Sequence, residues 1–231
     1  MKYPFSVNTG ATEDSDETTI LEGFIFERSD DPTVLFLHGN QETDSQKDMH
    51  LFANILLTKK LSSVTFDFSG FGSSTGDFKN STLDKRFEEA KDISPFLNPE
   101  SQLLICATGT NVIPAIKLTE FYNIKTLILF APNVENQKQD EEENKNYLST
   151  IFEELNIAKH IENFTGNLLI IKGKNDRIAD KPVTNLYVNA FSNTYKKELL
   201  VIPNAGHNIH KFLKDNTDAF KLMMSKVEKV L

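Results

Sequence analysis

What most constrains this chain is a rhythm: short, continuously apolar runs bounded by turn residues recur along it, with helical patterns in the intervals. A continuous apolar run is a strand buried on both faces, and successive buried strands joined by helices lie parallel. The repeat therefore predicts a mostly parallel sheet with helices on both faces. The runs are Thr33–Leu37, Ser63–Phe68, Leu103–Cys106, Lys125–Phe130, Leu168–Ile171 and Glu198–Ile202, with Thr19–Arg28 alternating like an early antiparallel strand. Between them, Asp48–Lys60 carries Met49, Phe52, Ala53, Leu56 and Leu57 along one stripe, and Thr82–Leu97 does the same with Leu83, Phe87, Ala90 and Ile93. Further helices are expected over Gly109–Tyr122, Pro182–Phe191 and about Lys211–Val230.

At 231 residues, with no Pro/Gly/Ser-rich linker, the chain is expected to form a single domain over 1–231. The pattern changes at about 133–166. Here the acidic run ENQKQDEEENKN (135–146) reads as a solvated loop, followed by one or two short helices in Tyr147–Asn163, together a short cap-like insertion. A net charge of -8 lacks the basic excess that polyanion binding needs, so no nucleic-acid partner is expected. A single cysteine, Cys106, forms no internal disulfide, and no apolar run reaches the roughly 18 residues of a membrane span. With neither a signal nor a transit pattern at the start, the expectation is a soluble intracellular protein, cytoplasmic, with an organellar location left open.

Three groups of loops follow the strand ends, where open α/β sheets place ligands. His38-Gly39-Asn40 follows one strand, LICATGT (104–110) contains the end of the central one, and IIKGKNDRIAD and VIPNAGHNI supply Asp176 and His207. With FDFSGFGSSTGDF (66–78), these segments resemble the α/β-hydrolase superfamily, specifically its small cinnamoyl- and feruloyl-esterase-like and serine-aminopeptidase-like members. The resemblance spans nearly the whole chain. It implies a three-layer α/β-hydrolase fold in which nucleophile, acid and base follow in that chain order. It further implies that Asp176 orients and stabilises the imidazole of His207, the general base, and that backbone N–H groups of Asn40 or its neighbour and of Gly109 bind the oxyanion. Asp67, Gly70, Gly72 and Ser74 would shape the turn behind the oxyanion loop, His38 would orient that loop, and Phe71 would wall the pocket. Neither cofactor nor metal is expected: His50, His160 and His210 are assigned to helix or loop surfaces, and none has a second ligand at metal spacing.

The departure from the superfamily lies at the elbow. Laid over Cys106-Ala107-Thr108-Gly109-Thr110, the pattern G-x-S-x-G has threonine for serine and side chains at both glycine positions. A β-branched residue at positive φ costs about 1 to 3 kcal/mol extra, and Cys106 and Thr110 crowd the closure of the turn, so the turn is expected to relax and carry the Thr108 hydroxyl away from His207. Cys106 reads as buried packing, not as a substitute nucleophile. The leading expectation is a pseudo-hydrolase with a binding or subunit role, its ligand a small acyl or ester compound or a protein partner. The alternative is an active hydrolase of small esters or amides using Thr108, His207 and Asp176. A third reading keeps His207 as a base without covalent attack. The small insertion implies a shallow site suited to short substrates.

Overall fold

The computed structural model describes residues 1–9, 18–28, 31–134 and 141–231, without the side chains of 141–146 and 149. One eight-stranded sheet organises them: β1 (Lys2–Thr9), β2 (Thr19–Phe26), β3 (Val34–Leu37), β4 (Ser63–Phe66), β5 (Leu103–Thr108), β6 (Ile124–Phe130), β7 (Asn167–Gly173) and β8 (Lys196–Ile202). Their spatial order is β1-β2-β4-β3-β5-β6-β7-β8. From β4 onward every pairing is parallel, while β1 and β2 add an antiparallel margin.

Side chains on a strand alternate between faces, and the core divides accordingly. Leu35, Leu37, Leu103, Ile105 and Ala107 point into one apolar layer, covered by α2 (Leu83–Ile93), α3 (Val112–Lys117), α4 (Glu141–Glu154), α5 (Ala158–Asn163) and α6 (Lys181–Ala190). Val34, Phe36, Leu104 and Cys106 point into the other, covered by α1 (His50–Thr58), α7 (Ile209–Asp215) and α8 (Thr217–Val230). This two-sided burial explains why β3, β4, β5 and β7 are buried at every position.

Several boundaries differ from the sequence expectation. The N-terminal segment forms β1, an edge strand whose first residues are exposed and whose polar mixture hides the strand pattern. The predicted final helix is two helices separated at Asn216, and the helix expected over Gly109–Tyr122 is α3 with a 3-10 turn at each end. Of the acidic run read as a loop, 135–140 lies outside the described residues, whereas 141–146 is helical backbone at the start of α4. The central strand continues two residues beyond Cys106, to Thr108. This last difference decides the geometry of the site.

Candidate active site

The loops after β7 and β8 bring Asp176 and His207 together. The Asp176 N–H closes its own loop on the carbonyl of Gly173, and the Asn175 N–H donates across to the carbonyl of Ala205, drawing the two loops against one another. A side chain at Gly173 would meet the carbonyl oxygens of Ala205 and Gly206 at 2.4 Å, so this approach requires glycine. His207 Nδ1 lies 3.0 and 3.1 Å from the two Asp176 carboxylate oxygens, and Asp176 Oδ1 also accepts the N–H groups of Ile178 and Ala179, each at 2.9 Å. Burial pushes the Asp176 carboxyl up. The His207 hydrogen bond and charge, with the two N–H donors, outweigh it and hold the group below its ordinary value. The Asp176 side chain is fully buried, whereas that of His207 is 20% exposed.

Thr108 does not join this pair. It is the last residue of β5, with extended backbone at φ -124 and ψ 139. The strain expected there is absent. Because it is still strand, alternation sends its side chain to the same face as Leu104 and Cys106, the face covered by α7. There its hydroxyl lies 2.7 Å from Nε2 of His210, and the His210 ring packs on that of Phe130, Thr108's neighbour on β6. Expected on a surface, His210 is instead partly buried between strand and helix, and burial pushes its imidazole down to about 3. Only its spacing of three residues from His207, at the start of a helix, could have placed it near the site.

The sharp bend falls one residue later. Gly109 adopts φ +63 and opens the 3-10 turn that leads into α3. Serine in G-x-S-x-G occupies the strained corner between strand and helix. By conformation that corner is Gly109, so the matching segment is Ala107-Thr108-Gly109-Thr110-Asn111. The assignment of the corner to Thr108 is thus corrected by one residue, because glycine tolerates positive φ at no steric cost and threonine does not. The backbone N–H that follows the corner is likewise that of Thr110, where the resemblance pointed to Gly109. It faces the Asn40 side-chain oxygen at 3.5 Å, a long contact. The same oxygen would lie 2.8 Å from a Cβ built on Gly109. Asn40 therefore contributes a side-chain oxygen where the resemblance assigned it a backbone donor.

Asn111, at the pattern's last position, fills space that glycine would leave. Its Nδ2 donates to the carbonyl of His38 at 2.6 Å, and its Oδ1 accepts from the buried Arg86 at 2.7 Å. His38 and Phe71, expected at the pocket, lie beneath it in the core. His38 Nε2 accepts the Phe68 N–H at 3.1 Å, Nδ1 lies 2.6 Å from the carbonyl of Gly39, and burial pushes the ring down to about 4. Phe71 packs edge-on against His38 and Phe78. The Asp67 carboxylate accepts the Gln46 and Ser73 N–H groups, fastening the segment after β3 to the turn after β4. Burial pushes the Cys106 thiol up, as expected for a packed side chain.

The cavity where His207, Gly109, Thr108 and Asn40 meet has a volume of about 20 Å³. That is room for roughly one water molecule, far below the several hundred Å³ of a small-molecule pocket. Among the described residues, no three His, Cys, Asp or Glu side chains are placed to hold a metal, and no helix is long and apolar enough to cross a membrane.

No family model and no curated protein matches the sequence. Solved structures do resemble the fold. A putative hydrolase from Agrobacterium vitis S4 superposes over 100% of both chains with a TM-score of 0.73 at 14% identity. Est1E from Butyrivibrio proteoclasticus, solved with ferulic acid bound, matches 91% of this chain and 96% of its own with a TM-score of 0.67 at 15% identity. The Pyrococcus furiosus esterase Pf2001 matches 92% of each chain with a TM-score of 0.62 at 19% identity. The chain has the three-layer α/β-hydrolase fold, and esterases and hydrolases are among the proteins that share it.

Proposed function

We propose that this protein is a pseudo-hydrolase, an α/β-hydrolase-fold chain that performs no covalent acyl transfer and serves in binding or as a subunit of an assembly. One observation carries the reading: the residue at the positive-φ corner is Gly109, which has no side chain to attack a carbonyl. Of the hydroxyls that flank it, that of Thr108 is on a strand and hydrogen-bonded to His210, and that of Thr110 lies against the buried Arg86. A neutral imidazole with a depressed pKa is a weak base, and the Thr108–His210 contact lies on the sheet face opposite Ala107. The small cavity and the Asn40 oxygen near the oxyanion donor support the same conclusion. Fold alone carries no activity, so the esterases among the fold neighbours bear on ancestry more than on present chemistry.

The intact Asp176–His207 pair favours a second reading, in which His207 activates a water molecule held in the small cavity without an acyl-enzyme. Hydrolysis of p-nitrophenyl acetate separates the two. The pseudo-hydrolase reading expects the wild type to match its His207→Ala variant. A rate that falls at least ten-fold in His207→Ala, yet survives in Thr108→Val, would establish the water mechanism. Loss of turnover in Thr108→Val would instead restore the nucleophilic threonine.

A further inference from the structure

Beside this small cavity, on the α1 and α7 side of the sheet, a second cleft of about 410 Å³ opens between the segment 43–52 and the helices α7 and α8. Its size falls in the range of small-molecule sites. Phe52, Phe130, Leu213 and Met223 underlie it as buried core, and the more exposed Leu51 and Phe220 continue the apolar lining outward. His210 lines both cavities. Its Nε2 lies 2.7 Å from the Thr108 hydroxyl, and its Nδ1 has no hydrogen-bond partner among the described residues.

Charge around the cleft is unevenly satisfied. Asp44 and Asp48 each accept a backbone N–H from their own loop, from Gln41 and Ser45 respectively. Burial also pushes the Asp44 carboxyl up from its ordinary value. By contrast, the ammonium groups of Lys47, Lys211 and Lys214 have no hydrogen-bond or ion-pair partner among the described residues. The lining thus carries three lysines against two carboxylates, a small local excess of positive charge in a chain of net charge -8. His50, on the same lining, has Nδ1 3.3 Å from the Lys2 ammonium, which can only donate, so its Nε2 carries hydrogen and is buried without a partner.

From the juxtaposition of apolar floor, unpaired lysines and the unmatched His50 imidazole donor, we propose that this cleft binds a small carboxylate with an apolar, aromatic-sized body. The carboxylate would sit among Lys47, Lys211 and Lys214 and the body would face Phe52, Leu51 and Phe220. The proposal deepens the binding role and rests on that reading only in assigning such a role to the fold. Its geometry is independent of whether the neighbouring site turns over.

Benzoate and its neutral isostere benzamide test it, titrated into the full chain and followed by amide chemical shifts. Benzoate should give saturable shifts confined to 43–52 and 208–223, benzamide should bind at least ten-fold more weakly, and Lys211→Ala/Lys214→Ala should lose about ten-fold in benzoate affinity. These lysines are exposed, so the double variant should keep its fold. Equal binding of the two probes, shifts that map elsewhere, or an unchanged affinity in the double variant would each overturn the proposal. Ester turnover by the wild type would overturn the pseudo-hydrolase reading and leave the benzoate result untouched, so the two failures are distinguishable.

Discussion

Replacing Gly109 with serine should install the nucleophile that the corner lacks. The cost follows from the structure. At φ +63, a residue with a Cβ pays about 1 to 2 kcal/mol for the left-handed conformation. The added Cβ meets only the Asn40 amide, at 2.8 Å from its oxygen and 4.0 Å from its carbon, and a side-chain amide can rotate away. In a domain of this size, 1 kcal/mol lowers Tm by about 2 to 4 °C, so the variant should remain folded with Tm reduced by about 2 to 8 °C. Once displaced, the Asn40 oxygen also releases the Thr110 N–H, a donor of the kind that contributes about 100- to 1000-fold in rate at other acyl-transfer sites. The assay is rapid mixing with p-nitrophenyl acetate. Gly109→Ser should release a burst of p-nitrophenol stoichiometric with protein and carry an acyl group on residue 109, and the burst should vanish in Gly109→Ser/His207→Ala. Thr108→Ser should show no burst, since a serine there keeps the strand conformation and points toward His210. A burst from Thr108→Ser together with silence from Gly109→Ser would refute the one-residue correction and the reasoning behind it.

Gly173→Ala would place a methyl 2.4 Å from two backbone carbonyl oxygens, which cannot rotate away; a loss of about 2 to 3 kcal/mol is expected from thermal unfolding, and a near-neutral effect would contradict the close approach of the two loops. His38 is fully buried with its pKa depressed to about 4, so its contribution to stability is complete above the unfolded value near 6.5 and is lost as pH falls toward 4. That group alone should remove about 1.4 kcal/mol per pH unit between roughly pH 6 and pH 4, and imidazole nitrogen shifts should report it neutral at pH 5. A charged His38 in the folded protein at pH 5 would contradict its place in the core.

Much of this architecture is legible in the sequence because burial on both faces leaves unbroken apolar runs. The parallel strands announce themselves this way, and Asp176 and His207 follow from the loops after the last two. The edge strand β1 does not, since its exposed side admits polar residues. The elbow shows a different limit. In Ala107-Thr108-Gly109-Thr110-Asn111 the hydroxyl-bearing residue and the residue that tolerates positive φ are adjacent, and matching by chemical type selects the first whereas the backbone selects the second. That choice also reverses the face on which Thr108 lies, which is why His210 could not be foreseen as its partner. Likewise His38 and Phe71 follow strands at the expected places, yet their hydrogen bonds and ring contacts turn them inward, under the loop they were expected to border.

The most direct measurement is intact-mass analysis of the wild-type protein after exposure to a fluorophosphonate, with peptide mapping across 103–117. A corner occupied by glycine, with the adjacent hydroxyl committed to His210, predicts no mass increase beyond that of a heat-unfolded control. A stoichiometric phosphonyl adduct on Thr108, abolished in His207→Ala, would contradict it.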